Sequence, residues 1–212
     1  MTAADPGDPE VGRSSAYGQH RRPSAVDRLG VWLSARAVRR RVDLDDARIA
    51  DLGCGYEAKL ARSLAGRVRS AVLVDVALSP DLGELPGVTA LEGPIGELVP
   101  TLPKGSLDVV LCISVLEHLR DAQGALAQFR RLLVPGGTLF VNVPSWRGKR
   151  FLELAAFRLG VSPAEEMDDH KRYYDPRDLW PLLVEAGFQP SRIRCRRHKL
   201  GLNTYAVCRA PD

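Results

Sequence analysis

Residues 48–58 read Arg-Ile-Ala-Asp-Leu-Gly-Cys-Gly-Tyr-Glu-Ala, which is the pattern of a strand, a tight turn and the start of a helix. The apolar run ends in an acid, two glycines follow, and helix-forming residues continue to Leu64. Glycine permits sharp turns and lets a ligand approach the main chain closely. The free amide groups at a helix start also point toward such a ligand. The stretch therefore predicts a cofactor site at the carboxyl end of a parallel sheet.

Two kinds of cofactor fit this turn. Gly53-x-Gly55-x-x-Ala58 matches the dinucleotide fingerprint G-x-G-x-x-A, whose turn binds a pyrophosphate. Asp51, two residues before the first glycine, would add negative charge beside those phosphates. S-adenosylmethionine has no phosphate but carries an ammonium and a sulfonium, which an acid at the strand end attracts. Asp51 therefore favours S-adenosylmethionine, and a nicotinamide dinucleotide is the more distant alternative.

The remainder of the sequence is that of an ordinary globular domain. Its 212 residues are enough for one domain, and no apolar run reaches the length of a membrane span. The net charge of +4 is too small to require a nucleic-acid partner, but basic residues cluster at 36–41 and in a basic tail at 192–199. We favour a solvated face for each cluster, with a phosphate-bearing or anionic acceptor as the alternative. The four cysteines stand singly and the amino terminus lacks the features of a secretory signal, so we expect reduced thiols and a cytoplasmic protein. Residues 1–22 offer little apolar surface, and we expect a disordered arm.

Apolar strands alternate with helices along the rest of the chain, which predicts a parallel sheet covered on both faces. An amphipathic helix from Pro23 precedes the first strand, and a further apolar helix is expected over residues 149–159. Two adjacent strands at the carboxyl terminus, separated by Gly201, indicate a closing hairpin. The predicted strands are 48–52, 70–75, 88–91, 107–113, 138–143, 192–198 and 203–209, and the other helices are 57–65, 122–133 and 175–186.

Three motifs occur in order over roughly residues 47–145: Asp51-x-Gly53-x-Gly55, then Val115-Leu116-Glu117-His118-Leu119, then Leu133-x-Pro135-Gly136-Gly137. Together they resemble the class I S-adenosylmethionine-dependent methyltransferases, in the large family that includes the ubiquinone and menaquinone biosynthesis enzymes. The resemblance implies one Rossmann-like α/β domain over residues 23–212. Its seven-stranded, mostly parallel sheet would have an antiparallel last strand, an amino-terminal cap helix and a helical insertion at about 146–174.

The sequence departs from that family's pattern at three positions. Glu57 stands where a third glycine is usual, and Pro94 stands where an acid usually meets the adenine amine. Some ubiquinone-type enzymes bind a divalent metal through E-x-x-E-H, but Ser114 replaces the first glutamate here. Serine is a poor ligand for a hard cation. We therefore expect S-adenosylmethionine as the cofactor and no metal.

The expected cofactor contacts come from strand ends and the turns that follow them. Asp75 ends the second strand twenty residues after Gly55, which is the spacing of an acid that accepts from both ribose hydroxyls. The resemblance places the adenine after the third strand and the methionine end beside the fourth. The expected cofactor-binding residues are Asp51, Gly53, Cys54, Gly55, Asp75, Val76, Gly93, Pro94, Ile95, Ile113 and Ser114.

Two histidines are candidate general bases because a histidine pKa suits proton transfer at neutral pH. His118 follows the fourth strand, and His170 lies in a polar segment before Asp175-Pro176. The alternatives are a structural histidine at the loop and an ordinary surface turn. The expected acceptor-binding residues are Trp146, Phe151, Arg172, Tyr173 and Tyr174.

The predicted chemistry is in-line methyl transfer to a small, partly apolar acceptor held in a dry site. Methyltransferases of exocyclic base amines usually carry Asp/Asn-Pro-Pro-Tyr after the fourth strand, where this chain has Ile113-Ser114-Val115-Leu116. This difference favours an oxygen acceptor such as a secondary metabolite, lipid or sugar. An RNA or protein methyltransferase that uses the basic tail, and a binding protein that has lost activity, remain alternatives. A homodimer through the apolar helix is also possible.

Overall fold

The computed structural model describes residues 15–19, 25–150 and 172–212. The helices are α1 (Ala25–Arg41), α2 (Lys59–Leu64), α3 (Ile95–Thr101), α4 (Ala122–Leu132) and α5 (Pro176–Glu185). The strands are β1 (Arg48–Leu52), β2 (Ser70–Asp75), β3 (Val88–Glu92), β4 (Leu107–Ile113), β5 (Leu133–Pro144), β6 (Ile193–His198) and β7 (Asn203–Arg209).

The seven strands form one sheet in the order β3-β2-β1-β4-β5-β7-β6. Strands β1 to β5 pair in parallel, whereas β7 is antiparallel to both of its neighbours, β5 and β6. The predicted fold class and the closing hairpin are therefore confirmed. Because β6 runs in the same direction as β5, the β6–β7 turn returns to the carboxyl edge of the sheet, where β1 to β5 also end.

Helices cover both faces of the sheet. On one face, α4 and α5 bury Phe129 and Leu183 against the central strands. On the other face, α1 and α2 bury Val38 and Leu64 against Ile49 of β1. Strands that are covered on both faces need apolar residues at consecutive positions, which explains the nearly unbroken apolar run of β4. Among the helices that the structure describes, none combines the length and the apolar character needed to cross a membrane.

The starts of α2 and β5 lie at different residues from the sequence prediction. Helix α2 begins at Lys59 rather than at residue 57, because Ala58 takes a left-handed conformation with φ of 43°. Strand β5 begins at Leu133, which pairs with Leu107 before a register shift in the ladder. The Pro135-Gly136-Gly137 sequence therefore lies inside an irregular strand and does not end the helix. Residues 146–150 are helical, and the rest of the predicted 149–159 helix lies outside the described residues.

Candidate cofactor and acceptor site

The turn after β1 is held by two glycines in the left-handed region, Gly53 with φ of 73° and Gly55 with φ of 77°. A Cβ atom on Gly53 would lie 2.1 Å from Val115 Cγ2, which is far inside van der Waals contact. A Cβ atom on Gly55 would lie 3.2 Å from the carbonyl oxygen of Tyr17. The turn therefore needs glycine at both positions for its conformation and for close packing.

Asp75, at the end of β2, fixes this turn with its side chain. Its Oδ2 accepts a hydrogen bond from the Gly55 amide at 2.7 Å, and its Oδ1 accepts from the Val76 amide at 2.8 Å. The Gly53 amide donates to the carbonyl of Val74 at 2.7 Å. Each carboxylate oxygen has more than one acceptor site. Asp75 can therefore hold the turn and still accept hydrogen bonds from a ligand.

Asp51 is a buried carboxyl group at the end of β1, with 2% of its surface exposed. Its Oδ2 has no hydrogen-bond partner among the described residues. Burial, and secondarily the charge of Asp75, raises its pKa to about 7. Burial followed by the charges of Asp51 and Asp75 also raises the pKa of the Cys54 thiol. This part of the site is short of positive charge, which suits a ligand that brings a cation.

A segment of the predicted disordered arm lies against the glycine turn. Ala16 is buried, and the carbonyl of Tyr17 accepts a hydrogen bond from the Tyr56 amide at 2.9 Å. The Tyr17 ring also lies close to Gly55, 3.6 Å from the position of an added Cβ atom. Sequence reasoning missed this contact because a five-residue segment with one tyrosine has no helical or strand periodicity.

The residues expected to contact adenine follow β3. The Gly93 amide donates to the carbonyl of Asp75 at 2.9 Å, which joins the ends of β3 and β2. Pro94 is exposed and forms the N-cap of α3, and its carbonyl accepts from the Glu97 and Leu98 amides. Ile95 is half-buried against the core. The structure thus brings Val76, Gly93 and the start of α3 to one edge, near Asp75.

The loop after β4 meets the glycine turn through Val115. Ser114 is exposed and has φ of 56°, a strained conformation for this residue type, and its amide donates to the carbonyl of Asn142 at 2.7 Å. Ile113 and His118 are half-buried, and Glu117 between them in this loop is fully buried. In the part of the chain that the structure describes, no group of three His, Cys, Asp or Glu side chains is arranged to hold a metal ion.

An aromatic pair lies beside the end of β5. The rings of Trp146 and Tyr173 are 5.7 Å apart, and Lys149 Nζ lies 5.9 Å from the centre of each ring. Tyr174 is 3% exposed and belongs to the hydrophobic core, so packing accounts for most of its side chain. Arg172 is exposed. His170 and Phe151, the other residues predicted for this side, lie outside the described residues.

The β6–β7 turn is not among the predicted site residues, and only the alternative interpretation of the basic run 192–199 pointed to a ligand there. Ser145, after β5, donates through Oγ to the carbonyl of Gly201 at 2.6 Å and through its amide to the carbonyl of Leu202 at 3.0 Å. These bonds fix the turn, with Lys199 at its start, against the segment that carries Trp146. The predicted antiparallel last strand was a usable signal, because it requires this turn to lie at the carboxyl edge.

Comparison with known proteins identifies the same architecture. Residues 19–192 match the model of a family described as methyltransferase domain. A ubiquinone biosynthesis O-methyltransferase from Xanthomonas oryzae is 32% identical over 165 residues, which cover 70% of this chain and 65% of the relative. The chain thus spans slightly less than two thirds of that relative's length.

Two solved structures share the fold at low sequence identity. An S-adenosylmethionine-dependent methyltransferase from Mesorhizobium loti is 17% identical, with a TM-score of 0.60, and the match covers 84% of this chain and 96% of that one. The [4+2]-cyclase SpnF is 14% identical, with a TM-score of 0.64, and the match covers 95% of this chain and 87% of that one. Since one of these proteins is a cyclase, the shared fold alone does not fix the reaction.

Proposed function

Because this chain belongs to the methyltransferase-domain family, we propose that it transfers a methyl group from S-adenosylmethionine to an oxygen atom of a small, partly apolar acceptor. The observation that carries the proposal is the arrangement of Asp51, the glycine turn and Asp75 at adjoining strand ends. The O-methyltransferase activity for which the Xanthomonas oryzae relative is named supports oxygen as the methylated atom.

The amino-acid end of S-adenosylmethionine fits the region around Asp51. The unpartnered, buried Oδ2 of Asp51 would accept from the ligand's ammonium, and a cation there would relieve the repulsion between Asp51 and Asp75. The ligand would contact only main-chain atoms of Gly53, Cys54 and Gly55. A pyrophosphate at this turn would instead add charge of the same sign as these carboxylates, which argues against a dinucleotide.

The nucleoside end of the ligand fits the ends of β2 and β3. Asp75 would accept from the ribose hydroxyls while keeping its bonds to the Gly55 and Val76 amides. The adenine would lie between Val76 and the Gly93-Pro94-Ile95 segment, with recognition by backbone and apolar contact in place of an acid. Ile113 and Ser114 would border the ligand on the β4 side.

S-adenosylmethionine supplies a methyl group that its sulfonium has already activated. The protein's share of catalysis is therefore to align the acceptor with that group and to exclude water. The pair of Trp146 and Tyr173 would contact the apolar part of the acceptor. Of the two candidate bases, His118 lies within the described residues and would receive the acceptor's hydroxyl proton. His170 lies outside them and remains a prediction. Arg172, Tyr174 and Phe151 also remain predictions as acceptor contacts.

Calorimetry with S-adenosylmethionine and S-adenosylhomocysteine, with NADH as the control ligand, tests the cofactor. We expect micromolar dissociation constants for both sulfur ligands and no NADH binding. Asp75→Ala removes the acceptor for the ribose and for the Gly55 amide, so binding should weaken by about 100-fold, on the scale of two charge-assisted hydrogen bonds. Asp81→Asn, an exposed carboxylate outside the site, should bind as the wild type does.

Failure of both sulfur ligands to bind the folded wild-type protein would contradict the proposal. If they bind, incubation with labelled S-adenosylmethionine and a panel of hydroxylated aromatic acceptors tests the transfer step. Label in an ether product supports oxygen methylation. Label in an amine or on carbon would keep the cofactor assignment and overturn the assignment of oxygen.

A further inference from the structure

Lys199 lies in a turn that the fold holds at the acceptor side of the carboxyl edge. The turn follows β6, and its Gly201 and Leu202 carbonyls accept hydrogen bonds from Ser145. Ser145 Oγ also accepts from the Gly148 amide at 3.0 Å, so the turn is joined to the segment that follows β5. The backbone that carries Lys199 is therefore fixed relative to Trp146, which lies in the same segment.

The amine of Lys199 points from this turn to α1. Its Nζ lies 3.7 Å from the position that a Cβ atom on Gly30 would occupy. Glycine is less favourable than alanine inside a helix, and an added Cβ atom here would be in van der Waals contact with the amine. The buried carboxylate of Glu117, in the loop after β4, also acts on the charge of Lys199. The β6–β7 turn and α1 thus meet at this amine, and Glu117 acts on its charge from farther away.

A second polar group lies on the same face of α1. Ser34, one helical turn after Gly30, accepts a hydrogen bond from Asn142 Nδ2 at 3.2 Å. Asn142 is fully buried, and its Oδ1 has no hydrogen-bond partner among the described residues. A buried carbonyl oxygen without a donor is costly. The region between α1 and the ends of β5 and β7 therefore contains both a cation and an unused acceptor.

The charge of Lys199 is held in unfavourable surroundings. The residue is half-buried, and burial is the main cause that lowers its pKa, to about 8. In residues 15–19, 25–150 and 172–212, no carboxylate lies within ion-pair distance of its amine, and Glu117 stabilises the charge only from farther away. A desolvated charge is expensive unless a counter-ion meets it. Arg147 and Arg197, which lie against Gly201 of the same turn, add positive charge at the surface.

We propose that Lys199 binds an anionic group of the methyl acceptor, either a carboxylate or a phosphate, at the β6–β7 turn where its amine faces α1. This inference rests on the proposed function, because it assigns the acceptor of that reaction to a chemical class. The acceptor then has three parts: an apolar portion beside Trp146 and Tyr173, a nucleophilic oxygen, and an anion on Lys199. Lys199 determines which acceptor binds and takes no proton in the reaction.

The test uses the full chain saturated with S-adenosylhomocysteine and three probes of similar size: benzoate, phenyl phosphate and benzamide. We expect calorimetry to give at least one anion a dissociation constant ten times lower than that of benzamide. Lys199→Met keeps the apolar stem and should remove that preference, while Lys199→Arg should retain most of it. Lys104→Met, at an exposed lysine between α3 and β4, is the matched control and should bind as the wild type does.

Each outcome decides a separate question. Preference for benzoate or for phenyl phosphate identifies the anionic group. Equal binding of all three probes by the wild type, or an unchanged preference in Lys199→Met, would overturn the role of Lys199. Lys199→Gln provides a second neutral variant in case Lys199→Met fails to fold. If S-adenosylhomocysteine itself fails to bind, the proposed function fails, whereas binding of that ligand without any anion preference rejects this inference alone.

Discussion

The carboxyl edge of the sheet has two halves that are built in different ways. The proposed cofactor half, at the ends of β1, β2 and β3, is shaped mainly by backbone: two glycines in left-handed conformations, with amides that donate to the Val74 carbonyl and the Asp75 carboxylate. The proposed acceptor half, at the ends of β4 to β7, depends more on side chains from distant parts of the chain, such as the bond from Ser145 Oγ to the Gly201 carbonyl.

This difference has a functional consequence. A site made of backbone recognises one ligand that does not change, because main-chain geometry tolerates little variation. A site made of side chains on several loops can be altered one residue at a time for a different acceptor. If the two halves are separable in this way, a substitution in one half should leave the other half intact.

Gly53→Ala is the strongest test of the cofactor half. The added methyl group would meet Val115 Cγ2 at 2.1 Å, and φ of 73° is unfavourable for alanine. We expect at least a 100-fold loss of S-adenosylhomocysteine affinity and a decrease of about 2–4 kcal/mol in the free energy of unfolding, as for other overpacked, strained positions. Calorimetry and urea denaturation measure the two effects.

Gly66→Ala is the matched control for that variant. Gly66 has φ of 83°, but an added Cβ atom would have no neighbour within 4 Å. The free energy of unfolding of this variant should therefore decrease only by the cost of a left-handed backbone, about 1–2 kcal/mol. Its ligand affinity should not change. Equal ligand affinities in Gly53→Ala and Gly66→Ala would show that close packing at the glycine turn does not matter for the cofactor.

Gly148→Ala makes the corresponding change in the acceptor half. Its Cβ atom would lie 2.2 Å from the carbonyl oxygen of Leu202, so the segment after β5 must separate from the β6–β7 turn. We expect the amides of Ser145 and Lys149 to exchange with deuterium at least about ten times faster, which corresponds to a loss of about 1.4 kcal/mol in local protection. S-adenosylhomocysteine affinity should change by less than about threefold, since these bonds lie outside the cofactor half.

Gly83→Ala is the control for this exchange experiment, because an added Cβ atom there would have no neighbour within 4 Å. Its exchange pattern in the acceptor half should match that of the wild type. A large loss of S-adenosylhomocysteine affinity in Gly148→Ala would contradict the separation of the two halves. Normal exchange in Gly148→Ala would mean that the turn is not held by these contacts.

The same division explains which parts of the site could be predicted from the sequence. Most of the proposed cofactor half lies within residues 51–95, where apolar runs, glycines and an acid at a fixed spacing encode neighbouring elements whose strand ends meet at one edge. The acceptor half depends on contacts such as that between Ser34 and Asn142, which are 108 positions apart. Local periodicity carries no information about such pairs. Lys199 ends a basic run for which the sequence favours a solvated face, with an anionic acceptor as the alternative, although the predicted hairpin places its turn at the carboxyl edge of the sheet.

A further expected effect is the pH dependence that Asp51 gives to the cofactor half. Its carboxyl group has a pKa of about 7 in the free protein, whereas a bound ammonium would stabilise the ionised form. Ligand binding below pH 7 should therefore release a proton, and affinity for S-adenosylhomocysteine should rise up to about tenfold per pH unit until pH 7. Calorimetry at pH 5.5, 6.5 and 7.5, in two buffers of different ionisation enthalpy, measures both quantities.

Asp51→Asn should bind more weakly and lose most of this pH dependence, while Glu84→Gln, at an exposed position, should keep it. The raised pKa of Asp51 also makes stability depend on pH. Between about pH 4 and 7 the folded state binds more protons than the unfolded state, so the free energy of unfolding decreases as the pH rises and Asp51 ionises. Added ligand should reduce this loss, since it favours the ionised carboxylate. An affinity that is flat from pH 5.5 to 7.5 in the wild type would mean that Asp51 does not meet the ammonium, and the assignment of this half would then rest on Asp75 alone.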